Sequence, residues 1–181
     1  MKFQFIVLIA AGLAIMLGCV GTTSVEAPGT VNPVCTFQVI VNTLLIDSCS
    51  LPECGGLLAI LIPMEWSIDS VYATGYGYSG PMLLDSVGTW PTNIYPPSTG
   101  YEWVDFVTPD NTLYGSIGDT GHATVTIMTG DSLGTFSLAF LAAEFNPPGD
   151  LHWVGDPCNC TVEVTPLNLQ EETWGHIKSE F

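Results

Sequence analysis

The chain has 181 residues, 47% of them hydrophobic, with 18 acidic side chains against two basic ones and a formal net charge of −16. The two basic residues are Lys2 and Lys178, and arginine is absent from the sequence. Phosphate recognition needs Lys or Arg to neutralise charge and release counterions, so this balance argues against nucleic acid, nucleotides and anionic headgroups as partners.

Met1-Lys2 opens the chain, and a run from Phe3 to Leu17 that is apolar apart from Gln4 follows it, ending at Gly18-Cys19. One positive charge, an apolar core and small residues form a secretory signal, predicted over 1–19. The run falls short of the ~20 residues of a membrane span. The protein is therefore expected to be secreted or anchored at the cell surface. Two processing sites compete. Met16-Leu17-Gly18-Cys19 reads as a bacterial lipobox that makes Cys19 a lipidation candidate and membrane tether, although Met16 and Leu17 depart from its usual residues. Val25-Glu26-Ala27 reads as a small-x-small site with cleavage after Ala27, ahead of an unfavourable Pro28. Residues 20–34, rich in Gly, Thr, Ser and Pro, read as a flexible tether.

Strand signals then dominate the span 35–166. Thr36–Asn42 is rich in β-branched residues, and Leu57–Ile62 is an apolar run between Gly55-Gly56 and Pro63, the pattern of a buried strand. Trp66–Tyr72 places Trp66, Ile68 and Tyr72 on one parity. Residues 79–100, with four prolines, form a long excursion carrying a strand fragment at Pro81–Asp85, after which Glu102–Val107 resumes as a strand. Ala123–Met128 is the cleanest alternation, with Ala123, Val125 and Ile127 inward; Thr135–Leu141 shares Phe136, Leu138 and Phe140 on one face, and Cys160–Val164 closes the set. In the tail, 167–181, Trp174, Ile177 and Phe181 fall on one helical stripe, predicting a short helix. Seven to nine turn-separated strands with almost no helix predict an antiparallel β-sandwich. The order of strands from Phe37–Asn42 through Leu57–Val71 to Gly121–Ile127 and Gly134–Leu138 resembles cohesin-like and related immunoglobulin-like modules of bacterial surface proteins. That resemblance implies architecture and an extracellular setting; no dockerin-binding residues carry over.

Beyond Cys19, five cysteines remain: Cys35, Cys49, Cys54, Cys158 and Cys160. An exported chain favours disulfides over metal thiolates. Cys49 and Cys54 flank a short turn, and Cys35 is a candidate to meet Cys158 or Cys160 if the first and last strands are neighbours. Cys158-Asn159-Cys160 on a strand points both thiols to one face. The odd count leaves one thiol free or paired between molecules.

Four groups of residues invite a chemical reading. Gly130-Asp131-Ser132-Leu133 resembles the nucleophile block of the GDSL esterases, with Asp119-Thr120-Gly121-His122 as the matching Asp-x-x-His. The order of the two blocks is reversed here, and Thr129–Ser132 is equally a plain hairpin turn. Glu102 with Asp105, or Glu65 with Asp69, are carboxylate pairs for glycoside cleavage, against the plainer reading of solvated acids on strands. Asp110, Asn111 and Asp119 bracket a loop with hard oxygen donors for a structural Ca²⁺, though its residues are also those of ordinary turns. Trp90, Tyr95, Tyr101 and Trp103 flank the Pro-rich excursion and would stack on sugar rings if exposed, or fill the core if not. His122, His152 and His176 are scattered. The expectation is a non-catalytic extracellular module for adhesion, assembly or ligand binding, with an extracellular protein or glycan as partner. A carbohydrate-binding module is the second reading and a secreted hydrolase the third.

Overall fold

The computed structural model describes residues 20–46, 55–85, 91–109, 115–146, 150–153 and 156–166. The signal region, Cys19, Cys49, Cys54, Trp90, Asp110, Asn111 and the tail 167–181 lie outside them. Among the described residues the regular elements are β1 (Val20–Glu26), β2 (Thr30–Val31), β3 (Thr36–Leu45), β4 (Gly55–Pro63), β5 (Ser67–Gly75), β6 (Tyr78–Pro81), β7 (Leu83–Leu84), β8 (Tyr101–Val107), β9 (Thr120–Met128), β10 (Gly134–Asn146), β11 (Asp150–Trp153) and β12 (Cys158–Val164). They form two sheets, β1-β3-β9-β5-β6 and β2-β12-β10-β4-β8-β7, with β11 also on β10. Every pairing is antiparallel except β2 with β12. The predicted β-sandwich is the fold, with more and shorter strands than the pattern gave.

Alternation decides what meets between the sheets. Val39 and Val41 of β3 and Ala123, Val125 and Ile127 of β9 face Ile60 and Ile62 of β4, Leu138 and Phe140 of β10 and Val162 and Val164 of β12, all within one buried cluster. Fully burying a Val, Leu or Ile contributes about 1.5–3 kcal/mol. Trp66 closes one end, edge-on to Phe37 at 5.8 Å and tilted to Phe136 at 5.0 Å. β4 is apolar on its other face too, because a second cluster of Ala59, Trp103, Ala139 and Leu141 covers the outside of its sheet. A strand covered on both sides loses its alternation, which is why Leu57–Ile62 reads as an unbroken apolar run.

Three expectations are corrected. Residues 20–34 are not a tether: β1 and β2 lie there, β1 pairs with β3 over Val20↔Leu45 to Glu26↔Ile40, and Val20 belongs to the core. The domain therefore reaches back to Val20 and not to residue 35. Thr22, Thr23 and Val25 are β-branched, a strand preference that outweighs the Gly and Pro around them. On β5, Ile68 pairs with Ile127 and Ser70 with Thr126, leaving Asp69 as the extra residue of a bulge. The bulge reverses parity, so Val71 is buried and Tyr72 exposed, where strict alternation puts Tyr72 inward. Lastly, Cys35, Cys158 and Cys160 are free thiols. Cys35 adjoins Thr36 at one end of β3, whereas the Cys158 thiol lies 3.6 Å from the Thr22 carbonyl, opposite Thr43 near the other end. That separation is ~23 Å along the strand, far outside disulfide reach, and Cys160 recovers only ~7 Å of it. Cys158 and Cys160 do share the parity of Val162 and Val164, and burial raises the pKa of the Cys160 thiol.

The two lateral seams of the sandwich differ. On one side β1 reaches across to the opposite sheet. Along one edge β10 pairs with β12 up to Phe140↔Cys158 and with β11 from Ala143↔Trp153, which leaves a gap between the two partners. Thr22, at the β1 bulge, fills it: the Ala142 N–H donates to Thr22 Oγ1 at 2.8 Å. On the other side β6 crosses to β7, the Met82 N–H donating to the Val71 carbonyl and the Asp85 N–H to the Asp105 carbonyl, both at 2.8 Å. Thr22→Val keeps the shape and strands a buried N–H, so urea unfolding should show a loss of about 1–3 kcal/mol, with Thr22→Ser retaining most of the stability.

Candidate functional site

Of the aromatic residues at the Pro-rich excursion, Trp103 and Tyr95 are drawn inward. Trp103 is only 7% exposed, within the cluster on the outer face of the β4 sheet, and its indole N–H donates to the Tyr95 carbonyl at 2.8 Å. Tyr95 packs half-buried against that cluster, held by its own N–H on the Pro91 carbonyl at 2.7 Å. The Tyr101 hydroxyl accepts from the Ser137 N–H at 3.3 Å. Trp103 thus serves as packing and presents no open ring for a sugar.

The hydrolase-like residues are kept apart. Ser132 lies exposed between β9 and β10, and its hydroxyl donates to Glu65 Oε2 at 2.7 Å. His122 pairs with Asn42 and Thr74, six residues up β9 from Met128 and so ~20 Å away. Glu102 and Asp105 have opposite parity on β8: Asp105 is fully buried beside Trp103 and Glu102 is exposed on the other face. They do not flank one substrate. Asp119 closes its own turn, its carboxylate accepting from the Ser116 N–H at 2.7 Å and its N–H donating to the Ser116 carbonyl at 2.9 Å. Among the described residues no group of three His, Cys, Asp or Glu is placed to hold a metal.

One concave feature is not announced by residue-type motifs. Between the free part of β5 and the free part of β8 lies a cleft of about 620 Å³. Ile62, Trp66, Val71, Met82 and Phe106 supply its apolar lining, and Asp69 and Glu102 its only acidic side chains, with no basic residue among those that line it. β6 covers β5 only from Tyr72 onward, and β7 covers β8 only at Phe106 and Val107, so the seam is closed at one end and open at the other. Leu83 and Leu84 of β7 are 53% and 63% exposed beside it. Trp66 is 4% exposed and its indole N–H has no acceptor. The signals available in the sequence were the Asp69 break in alternation and the Met82-Leu83-Leu84 triplet, neither of which names a cleft.

At the opposite end sits a smaller apolar cavity of about 60 Å³ beside Tyr76. Tyr76 and Gly77 both have positive φ, 54° and 77°, in the two-residue β5–β6 hairpin loop. The Tyr76 hydroxyl shares a 2.8 Å hydrogen bond with Thr43 Oγ1. Its ring lies so close to Gly121 that a Cβ there would come within 2.8 Å of it.

No protein-family model matches the chain, and no curated protein sequence does. Solved structures do. A cohesin module from the family 33 glycoside hydrolase of Clostridium perfringens is similar with 13% identity, covering 82% of this chain and 98% of that one at a TM-score of 0.49. AvmM, which catalyses macrocyclization in alchivemycin A biosynthesis, is similar at 12% identity, 83% and 92% coverage and a TM-score of 0.50. The major pilin subunit of Bacillus cereus is similar at 12% identity and a TM-score of 0.43, over 82% of this chain and 40% of the pilin. The chain resembles cohesin-like and immunoglobulin-like surface modules, and at these identities the likeness is one of fold.

Burial, and secondarily the charge of Asp119, raises the Tyr76 pKa above its ordinary 10.0, with hydrogen bonds to Thr43 and Gly121 opposing. The folded value exceeds the unfolded one, so this contribution is intact below pH ~10 and is lost as pH rises through the folded value. Urea midpoints measured from neutral to alkaline pH should therefore fall along a limb that Tyr76→Phe flattens. At neutral pH the same substitution should cost about 0.5–1.5 kcal/mol for the lost hydrogen bond.

Proposed function

We propose that the protein is a non-catalytic, extracellular contact module, held at the bacterial surface and binding a partner through the lateral cleft between β5 and β8. The observation that carries this reading is the cleft itself: apolar inside, acidic at its rim and bounded by two strand edges. Concavity of this kind, lined by apolar groups with a few polar ones, is the usual setting of a binding site. The separation of Ser132 from His122 and the opposed faces of Glu102 and Asp105 support a role in contact over hydrolysis.

The position of β1 bears on processing. Cleavage after Ala27 would remove all of β1, taking Val20 from the core and Thr22 from the Ala142 N–H, and would bare the edge of β3. Cleavage before Cys19 leaves β1 whole, which favours the lipobox reading and an acylated Cys19. Loss of the Val20 burial alone would cost about 1.5–3 kcal/mol.

Intact-mass measurement of the exported protein should find a chain beginning at a lipid-modified Cys19; a chain beginning at Pro28 overturns the anchor. Arrays of extracellular proteins and polysaccharides, probed with the intact domain, should give retention that Asp69→Lys with Glu102→Lys abolishes. Turnover of ester substrates, lost in Ser132→Ala, would sink the non-catalytic reading.

A further inference from the structure

We infer that the cleft takes an extended segment of a partner polypeptide, added as a strand to the free edge of β8 and carrying lysine or arginine at its flanks. The inference rests on the binding role proposed for the cleft and names its occupant.

A sheet edge with unpaired main-chain groups is a template for another strand. The Asp105 carbonyl turns outward to the Asp85 N–H, which continues the line of β7. Two residues earlier the alternation repeats, so the N–H and carbonyl of Trp103 turn to the same edge, where no strand among the described residues meets them. The facing edge of β5 is less receptive, since the Asp69 bulge twists it and places a charge there. Among the described residues, β8 is the edge left to receive a strand.

The lining specifies what that strand carries. Side chains alternate in and out of a strand, so every second residue of the occupant enters the cleft over Val104, Phe106, Ile68 and Met82. Those positions call for apolar side chains of moderate size. Asp69 and Glu102, with no lysine or arginine among the described residues that line the cleft, call for cations. A second copy of this chain is the wrong partner by charge: it brings another −16 and only two basic side chains in its whole length.

The test uses the domain with its β1 intact and a blocked peptide with valine at alternate positions, serine between them and lysine at each end. Binding should weaken about tenfold or more when the end lysines become glutamates, and equally when the protein carries Asp69→Lys with Glu102→Lys. Amide hydrogen exchange should show the Trp103 N–H exposed in the free domain and protected when the peptide is bound. A bound peptide that leaves the Trp103 amide unprotected overturns strand addition while the cleft stays a binding site. Indifference of peptide binding to both charge changes overturns the cationic occupant. Protection of that amide in the free monomer, or in a peptide-free dimer seen by sedimentation, gives the edge to the chain itself or to a second copy, and also overturns the proposal. Peptide binding with no retention of any natural ligand on the arrays separates failure of the broader role from failure of this one.

Discussion

The structure turns on an asymmetry in how its two sheets meet at their sides. Face-to-face sheets share a core, but each has two edges, and an edge is a row of polar groups that must find partners or water. Here one seam is sewn by a single threonine that serves both sheets, pairing within its own through β3 and accepting an N–H from β10 of the other. Among the described residues the opposite seam is joined where Met82 and Asp85 carry the chain across. The first condition lets the core stay dry at that flank. The second leaves a hollow that the core residues Ile62, Trp66 and Phe106 reach from within.

Side-chain chemistry and main-chain edges make separate contributions to such a site. Most of the acidic side chains among the described residues are exposed, where charge interactions contribute little to stability. Asp69 and Glu102 matter because they line the cleft and because no basic side chain stands among the described residues that line it with them. The scarcity of Lys and Arg, plain from composition, becomes local at this rim. It also keeps copies of the protein apart, which an uncovered sheet edge needs.

The architecture was legible wherever one face of a strand meets the core and the other meets water. Ala123, Val125 and Ile127 are the case in point and β3 followed from similar texture, while β4, covered on both faces, was legible as an unbroken apolar run. Legibility failed where tertiary partners set the answer. Small residues hid β1, whose conformation is decided by β3 and β10 and not by its Gly and Thr content. A single extra residue at Asp69 inverted the faces of β5 beyond it, and no composition rule marks a bulge. Trp66 and Trp103 are both buried, yet in different clusters on opposite sides of one sheet, a distinction that depends on strand order. The cleft was invisible for the same reason: it is made by where strands stop pairing, not by a motif. A histidine and a serine close in the chain were separated by the length of β9, since a straight strand carries its ends apart.

The bond between Thr22 and Ala142 spans 120 positions of sequence. Synthesis runs from the N-terminus, so β1 is made long before the β10 group it must join. Contacts between distant positions are slow to form because the intervening chain must first be ordered. The flank of the sandwich that β1 closes is thus among the last parts to mature, after most of the polypeptide has been made. Until then, the edges of β1 and β10 stay available to the wrong strands.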